Sequence, residues 1–395
     1  MGSFGSGLSA RFWALIAAAF LGFLGIGAVL PALAPHVRLD LGGSDQTVGL
    51  VIGVFSFVAL GARLISGPLA DRKGRKVVFI TGLTSCAASG FAYLLPLGLA
   101  GAYLGRILQG FGEACLYTGA AAWVIELAGV RRSAEALGYL SSGIWGGISV
   151  GPVVGHWLGT FERAAVFQVL AALLAIAALS QVAEDYQPGE HPRRRRWMPS
   201  SMLAPGMAIG FVNVHYPVIT GFLVLHLARH GNSGAAAFSV YALLILTSRF
   251  FLGRLPDRID PAITFYGGLL AMAVGLSALA VGPTPGYAIA ATALLGFGFS
   301  FPWSAVASSV LRNIPSHERG SAIGVLSAFV DLFVGISSFV AGAVAKHAGY
   351  AATFMVATTA LAAAAAAGRV VFASRPESEI PAGTGCAEEC ATAND

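Results

Sequence analysis

Residues 62–76 read ARLISGPLADRKGRK, and residues 248–260 read SRFFLGRLPDRID. Both hold the pattern R-x-x-x-G-x-L-x-D-R. In the first copy it is Arg63, Gly67, Leu69, Asp71 and Arg72; in the second it is Arg249, Gly253, Leu255, Asp257 and Arg258. Each copy closes an apolar run. Arg249 lies 186 positions after Arg63, and the same offset carries Gly110-Phe111-Gly112 onto Gly296-Phe297-Gly298. It also carries Ala136, Gly138, Leu140 and Ser141 onto Ala322, Gly324, Leu326 and Ser327. One offset across separate matches is hard to obtain from composition bias, so the chain reads as two homologous halves. Parallel repeats of this kind are a transporter architecture, with the substrate site near the midplane between them.

Composition sets the solvent. The 395 residues are 56% hydrophobic and 11% charged, with a mean hydropathy of +0.74. A soluble domain carries about 25% charged residues, so too little polar surface exists here to cover a water-soluble fold. The 51 glycines suit helices that approach closely in a bilayer. A net charge of +5 does not point to nucleic acid, because the basic residues sit in short gaps between apolar runs.

A spanning helix needs roughly 20 apolar residues. Such segments fall near 11–34, 46–70, 77–98, 102–127, 136–160, 164–183, 203–228, 235–255, 262–282, 287–311, 320–345 and 349–372. The expected fold is an all-α membrane protein of twelve transmembrane helices in two pseudo-symmetric six-helix bundles. The bundles are residues 1–183 and 202–373, joined by a cytoplasmic linker at 184–201 and followed by a disordered tail at 374–395. With the N-terminus inside, 17 of the 24 Lys and Arg residues fall on the cytoplasmic side, four outside and three within segments. That bias sets both termini in the cytoplasm.

Three motifs then carry a resemblance. Gly67-Pro68-Leu69-Ala70-Asp71-Arg72-Lys73-Gly74-Arg75-Lys76 resembles the signature loop between helices 2 and 3 of the major facilitator superfamily. Arg106-Ile-Leu-Gln109-Gly110-Phe-Gly112 resembles its helix 4 motif. Gly147-Ile-Ser-Val-Gly151-Pro152-Val-Val-Gly155 resembles the helix 5 motif of its proton-coupled exporters, with His156 where a further glycine is expected. The resemblance covers residues from about 10 to 373 and extends to drug, sugar-efflux and metallophore exporters. It implies a bacterial inner-membrane protein, most simply a monomer, whose central cavity is lined by helices 1, 4, 7 and 10.

The charged residues divide into two sets. The loop set is a conformational latch: Asp71 can reach the positive end of a neighbouring helix, and Arg72, Arg75 and Lys76 can pair with acids or lipid phosphates. Gly67 and Gly74 permit close approach and turning. Glu126 is expected in this network beside Arg131 and Arg132, and Arg63 and Arg249 are expected to brace the loop aspartates Asp71 and Asp257. The second copy lacks the G-R-K that follows the first and should latch more weakly.

The membrane set is expected to carry protons or touch substrate, since charges within a bilayer are costly and usually face a pathway. It comprises Glu113 in helix 4, Asp331 in helix 11 and Arg106, which stands two turns before Glu113. The expected cavity residues are Tyr117, Trp145, His156, Asn213, His215 and Trp303, with Trp123 and Phe301 approaching it. A histidine in such a place titrates near neutrality or is simply satisfied by its neighbours, and both readings stand for His215.

No ATP-binding loop of the G-x-x-x-x-G-K-[ST] type occurs, and Cys386 and Cys390 in the tail are too weakly spaced to imply a metal. No enzyme activity, cofactor or metal is expected. The partners expected are a small-molecule substrate, protons and lipid. Export of a small organic molecule by proton antiport is the leading function, with proton-coupled import of a sugar or carboxylate as the alternative.

Overall fold

The computed structural model describes residues 8–129, 132–180, 182, 200–252, 259–281, 284–312, 314 and 319–373. Most of the linker, the whole tail with Cys386 and Cys390, and the Gly253–Arg258 part of the second motif copy, Asp257 included, lie outside these residues.

Apolar composition and a few caps make nearly every described residue helical, and among them there is no strand. The first six helices are α1 (Ala10–Pro35), α2 (Asp45–Lys73), α3 (Arg75–Leu94), α4 (Leu99–Ala128), α5 (Ser133–Leu158) and α6 (Phe161–Ser180). Ser9 caps α1 by accepting from the Phe12 amide, and Ser44 and Thr47 cap α2 reciprocally. The chain continues as α7 (Leu203–Arg229), α8 (Gly234–Leu252), α9 (Pro261–Val281), α10 (Gly286–Arg312) and α11 (Arg319–Ala373).

Proline shapes the irregular turns. It lacks an amide hydrogen and its ring clashes with the preceding turn. After Pro35, α1 widens into a π turn over His36–Asp40, and after Pro217, α7 does the same over Ile219–Leu223. Pro302 restarts α10 after a break at residues 300–301. α11 bends at Gly349, whose φ of +83° suits glycine alone, and so runs as two arms.

Among the described residues nine stretches are long and apolar enough to span a bilayer. They are fewer than the expected segments because α4 and α5 are too polar and glycine-rich to count, and the two arms of α11 count as one. The first motif copy also differs from expectation. It is not a free loop: α2 stays helical through Asp71 and Arg72, and the turn falls at Gly74, with φ +100°.

The helices pack in two groups. α1 lies on α5 and α6, α3 on α4 and α6, and α2 on α4; later in the chain α7 lies on α11, α9 on α10 and α11, and α8 on α10. The groups meet where α2 packs on α11 and where α5 packs on α8. Under the 186-residue offset these are the same pairing written twice.

Contact along α2 is uneven. Near Asp45, a β-carbon on Gly49 would collide with the Ser338 carbonyl and come within 2.9 Å of Gly342. The Tyr350 hydroxyl donates to Asp45 (2.8 Å), which also accepts from Arg38 (3.0 Å), and Arg229 stacks on Tyr350. Toward Lys73, added β-carbons at Gly61 and Gly67 would meet nothing within 4 Å, and Leu64 and Ile65 are exposed. The two groups are in close contact at the Asp45 end of α2, whereas that face of α2 is open toward Lys73.

Candidate functional site: a cross-bundle arginine and an aromatic cavity

The site begins with three side chains from three helices. Arg63 of α2 donates through Nε to Asp331 Oδ2 of α11 (2.7 Å) and through Nη2 to both oxygens of Glu113 on α4 (3.1 and 3.0 Å). All three are largely withdrawn from solvent, at 15%, 12% and 13% side-chain exposure. The Arg63 guanidinium also sits 4.9 Å from the centre of the Tyr117 ring, one turn from Glu113. A single cation thus joins a carboxylate of its own helix group to one of the other group. Two carboxylates face one guanidinium, and of the two acids Asp331 is the one that lies across the divide between groups.

This corrects the expectation for Arg63, which does not brace Asp71. α2 stays helical beyond it, so its side chain reaches inward to the two acids. Arg106 is corrected as well: it is not turned toward Glu113. Its guanidinium donates to the Val51 (3.3 Å) and Ile52 (3.4 Å) carbonyls and to Gln109 (2.5 Å), and it stacks on Phe55. Gln109 also accepts from Tyr93 (3.1 Å) and donates to Gln168 (2.9 Å), which donates to the Cys86 carbonyl (2.7 Å). Arg106 therefore ties α4 to α2 inside a buried polar network and pairs with no carboxylate among the described residues.

A second centre lies where α5 meets α8. A narrow cavity between the groups is walled by Leu30, Trp145, Pro152, Tyr216, Tyr241 and Phe299, among others. Trp145 is one of the residues that wall it. His156 is not: it is exposed beside the exposed Trp157 at the end of α5, on the side away from the glycines. Trp303 packs against the core rather than lining the cavity, and Trp123 is fully buried within the first group. His215 is the satisfied histidine of the two readings, bonded through Nδ1 to the Val212 carbonyl (2.7 Å) and through Nε2 to the Tyr241 hydroxyl (2.9 Å). Asn213 donates to the Ile209 carbonyl (2.9 Å).

Asp257, the expected partner of Arg249, lies outside the described residues, and the guanidinium of Arg249 stacks on Trp145 of α5 at 3.9 Å, with Phe299 of α10 at 6.0 Å. Sequence reasoning missed this pairing and the roles of Tyr216 and Tyr241. The offset held the signal: added to Glu113 it gives Phe299, and subtracted from Asp331 it gives Trp145. The two rings around Arg249 and the two acids around Arg63 occupy matching positions.

The glycines resembling an exporter motif form a contact surface. A β-carbon at Gly147 would lie 2.5 Å from the Phe20 carbonyl and one at Gly151 2.6 Å from the Gly27 backbone, while one at Gly155 would collide with Ala28. Pro152 follows on the neighbouring face and reaches the cavity. Of the latch residues, Arg75 pairs with Glu126, joining α3 to α4, and Lys76 donates to the Val182 carbonyl (2.6 Å) beyond α6. Arg132, expected near Glu126, pairs instead with Glu135 one turn on (2.9 Å). Asp71, Arg72 and Lys73 are exposed at the end of α2.

The comparisons with known proteins follow this geometry. The family model described as Major Facilitator Superfamily matches residues 15–227 and again residues 202–386. The chain belongs to the Major Facilitator Superfamily. An uncharacterized MFS-type transporter of Salmonella typhimurium is 30% identical over 356 residues, covering 86% of this chain and 91% of that one. A second, from Burkholderia mallei, is 29% identical over 374 residues, covering 89% and 90%. Among solved structures, the nucleoside transporter NupG superposes with a TM-score of 0.75 at 14% identity, covering 92% of this chain and all of that one. The human organic anion transporter MFSD10 superposes at 0.69 and 17% identity, covering 90% and 98%. At those identities the likeness is one of fold. This major facilitator is a multi-pass membrane transporter, and its two matches within one chain follow the repeat seen at the 186-residue offset.

Proposed function

We propose that the protein is a proton-coupled secondary active transporter that exports a small organic molecule by antiport, the two helix groups rocking about the cavity between them. The observation that carries the reading is the Arg63 bridge. One guanidinium holds Glu113 within its own group and Asp331 across the divide, so a proton gained or lost there alters the cohesion of the groups themselves. In this account Glu113 and Asp331 carry the proton, Arg63 switches between them, and Arg106 positions α4 against α2.

The twelve-span topology with two six-helix halves and both termini in the cytoplasm belongs to the same proposal, as does residence of a monomer in a bacterial inner membrane. With that orientation the Asp45 end of α2 faces outward. The contacts there support a state closed to the outside and open to the cytoplasm. The pairing of Arg75 with Glu126 supports a latch that holds α3, α4 and the end of α2 as one moving body. Export is supported by the α5 glycine surface, which resembles that of proton-coupled exporters.

A second reading, proton symport of an anionic metabolite, is favoured by one observation: among the described residues the cation of Arg249 has no carboxylate beside it. Everted membrane vesicles loaded with a pH-sensitive dye separate the two. Addition of a transported compound to acidified vesicles should draw protons out under antiport. Protons entering with the compound would establish symport, and no proton movement with any transported compound would end the coupling claim.

A further inference from the structure

Arg249 stands on α8 one turn beyond Ile245 and two beyond Tyr241, both of which wall the cavity. Its Nε and Nη2 atoms are buried and make no hydrogen bond. The rings that flank it, Trp145 and Phe299, are themselves cavity walls. An aromatic face attracts a cation but leaves the in-plane N–H donors of a guanidinium unmet. A buried cation with unmet donors is costly, and a structure that retains one needs a partner for it.

The internal repeat shows what fills the equivalent place at Arg63. In the Arg63 site, Nε and Nη2 are the atoms that hold carboxylates, from Asp331 and Glu113. At the matching positions around Arg249 stand Trp145 and Phe299, which offer no oxygen. The same edge of the same side chain is filled by carboxylates in one half and left open in the other. Nε and one Nη form the fork that takes both oxygens of a carboxylate together. The surrounding wall of Leu30, Ile148, Pro152, Phe238 and Phe299 suits an apolar body behind that head group.

We propose that Arg249 anchors the anionic head of the transported molecule, an organic acid whose apolar body lies against Trp145 and Phe299 between α5 and α8. This rests on the reading that the space between the helix groups is the substrate path. It does not rest on proton coupling or on the direction of transport.

The test is binding to the purified full-length protein in detergent. Aromatic and aliphatic monocarboxylates are titrated, each paired with its uncharged amide, and tryptophan fluorescence is followed in wild type and in Trp145→Phe. The expected result is that acids bind at least about tenfold more tightly than their amides, with the signal lost in Trp145→Phe. Arg249→Gln should weaken acid binding by about tenfold to a hundredfold, the worth of a charge-assisted hydrogen bond. Arg249→Lys, a cation without the fork, should fall between.

Should Arg249→Gln fail to fold, Phe299→Glu tests the same point by placing the missing carboxylate inside the protein. It should raise the melting temperature and abolish acid binding. Acids binding no better than amides, no acid binding at all, or a folded Arg249→Gln or Phe299→Glu that binds like wild type would each overturn the proposal. Proton release recorded in the same titrations keeps the readings apart. Acid binding that depends on Arg249 but neither takes up nor releases protons leaves the anion site standing and removes the coupling.

Discussion

Arg63 and Arg249 occupy matching places in a duplicated chain, yet they live in opposite chemistry. Arg63 is held by two carboxylates and carries more negative than positive charge around it. Arg249 is held by two aromatic faces and, among the described residues, has no carboxylate against it. The difference lies not in the arginines but in two exchanges, Glu113 for Phe299 and Trp145 for Asp331. Under the proposed roles, a duplicated scaffold gains one site for a proton and one for an anion without moving a helix. The two inter-group interfaces, α2 on α11 and α8 on α5, then hold an ion-paired arginine and an aromatic-stacked arginine in equivalent positions.

The largest effect expected from breaking this comparison is at Arg63. Arg63→Ala leaves two buried carboxylates unpaired, which costs about 3–5 kcal/mol for a buried network. Thermal unfolding in detergent should show a large loss of stability, and vesicle transport should be abolished. Arg249→Ala instead removes a buried cation that has no carboxylate against it among the described residues, so the melting temperature should hold or rise while transport is lost. Equal destabilisation by the two substitutions would mean the sites do not differ as described.

Next in size are Glu113→Gln and Asp331→Asn, which should each eliminate transport against a gradient. Downhill exchange should survive better in Glu113→Gln, because of the two acids Asp331 is the one that joins the two groups. Counterflow in proteoliposomes measures this, and equal loss in both would deny the asymmetry. Making the second site resemble the first is a milder change: Trp145→Asp should restore an ion pair to Arg249 and raise the melting temperature. Gly151→Val forces a side chain against Gly27, and overpacking of this kind costs about 1–3 kcal/mol. The smallest effect is expected at Asp71→Asn, which should slow transport while leaving ligand affinity unchanged; a matching loss of affinity would assign the motif to folding.

Much of this was legible in the sequence, and the reasons differ by residue. The membrane class, the helical segments and the repeat follow from hydropathy and a single offset. The first two require only local composition, and the third only a comparison of the chain with itself. The acids Glu113 and Asp331 were legible because a charge in an apolar run is costly wherever the helix turns. Their partner was not. Arg63 is 50 residues from Glu113 and 268 from Asp331, and no local pattern reports such contacts. Arg106 misled for the opposite reason: its spacing from Glu113 suggests a shared face, while its side chain is taken by carbonyls of α2. His156 and Trp303 show the same limit, since a position on a helix does not disclose which neighbour covers it. Arg249 was legible in principle, through the offset applied to both acids.

The central claim is that the charge state of the Arg63 bridge sets whether the groups part. Double electron–electron resonance reads this without knowing the substrate. Spin labels at Ile65→Cys on α2 and Gly324→Cys on α11, with Cys386 and Cys390 replaced by serine, report the end where α2 is open. The account predicts distance distributions that shift between high and low pH in the otherwise native protein. The combined Glu113→Gln and Asp331→Asn variant should give one distribution at both. A pH-driven shift that persists undiminished in that variant would contradict the account.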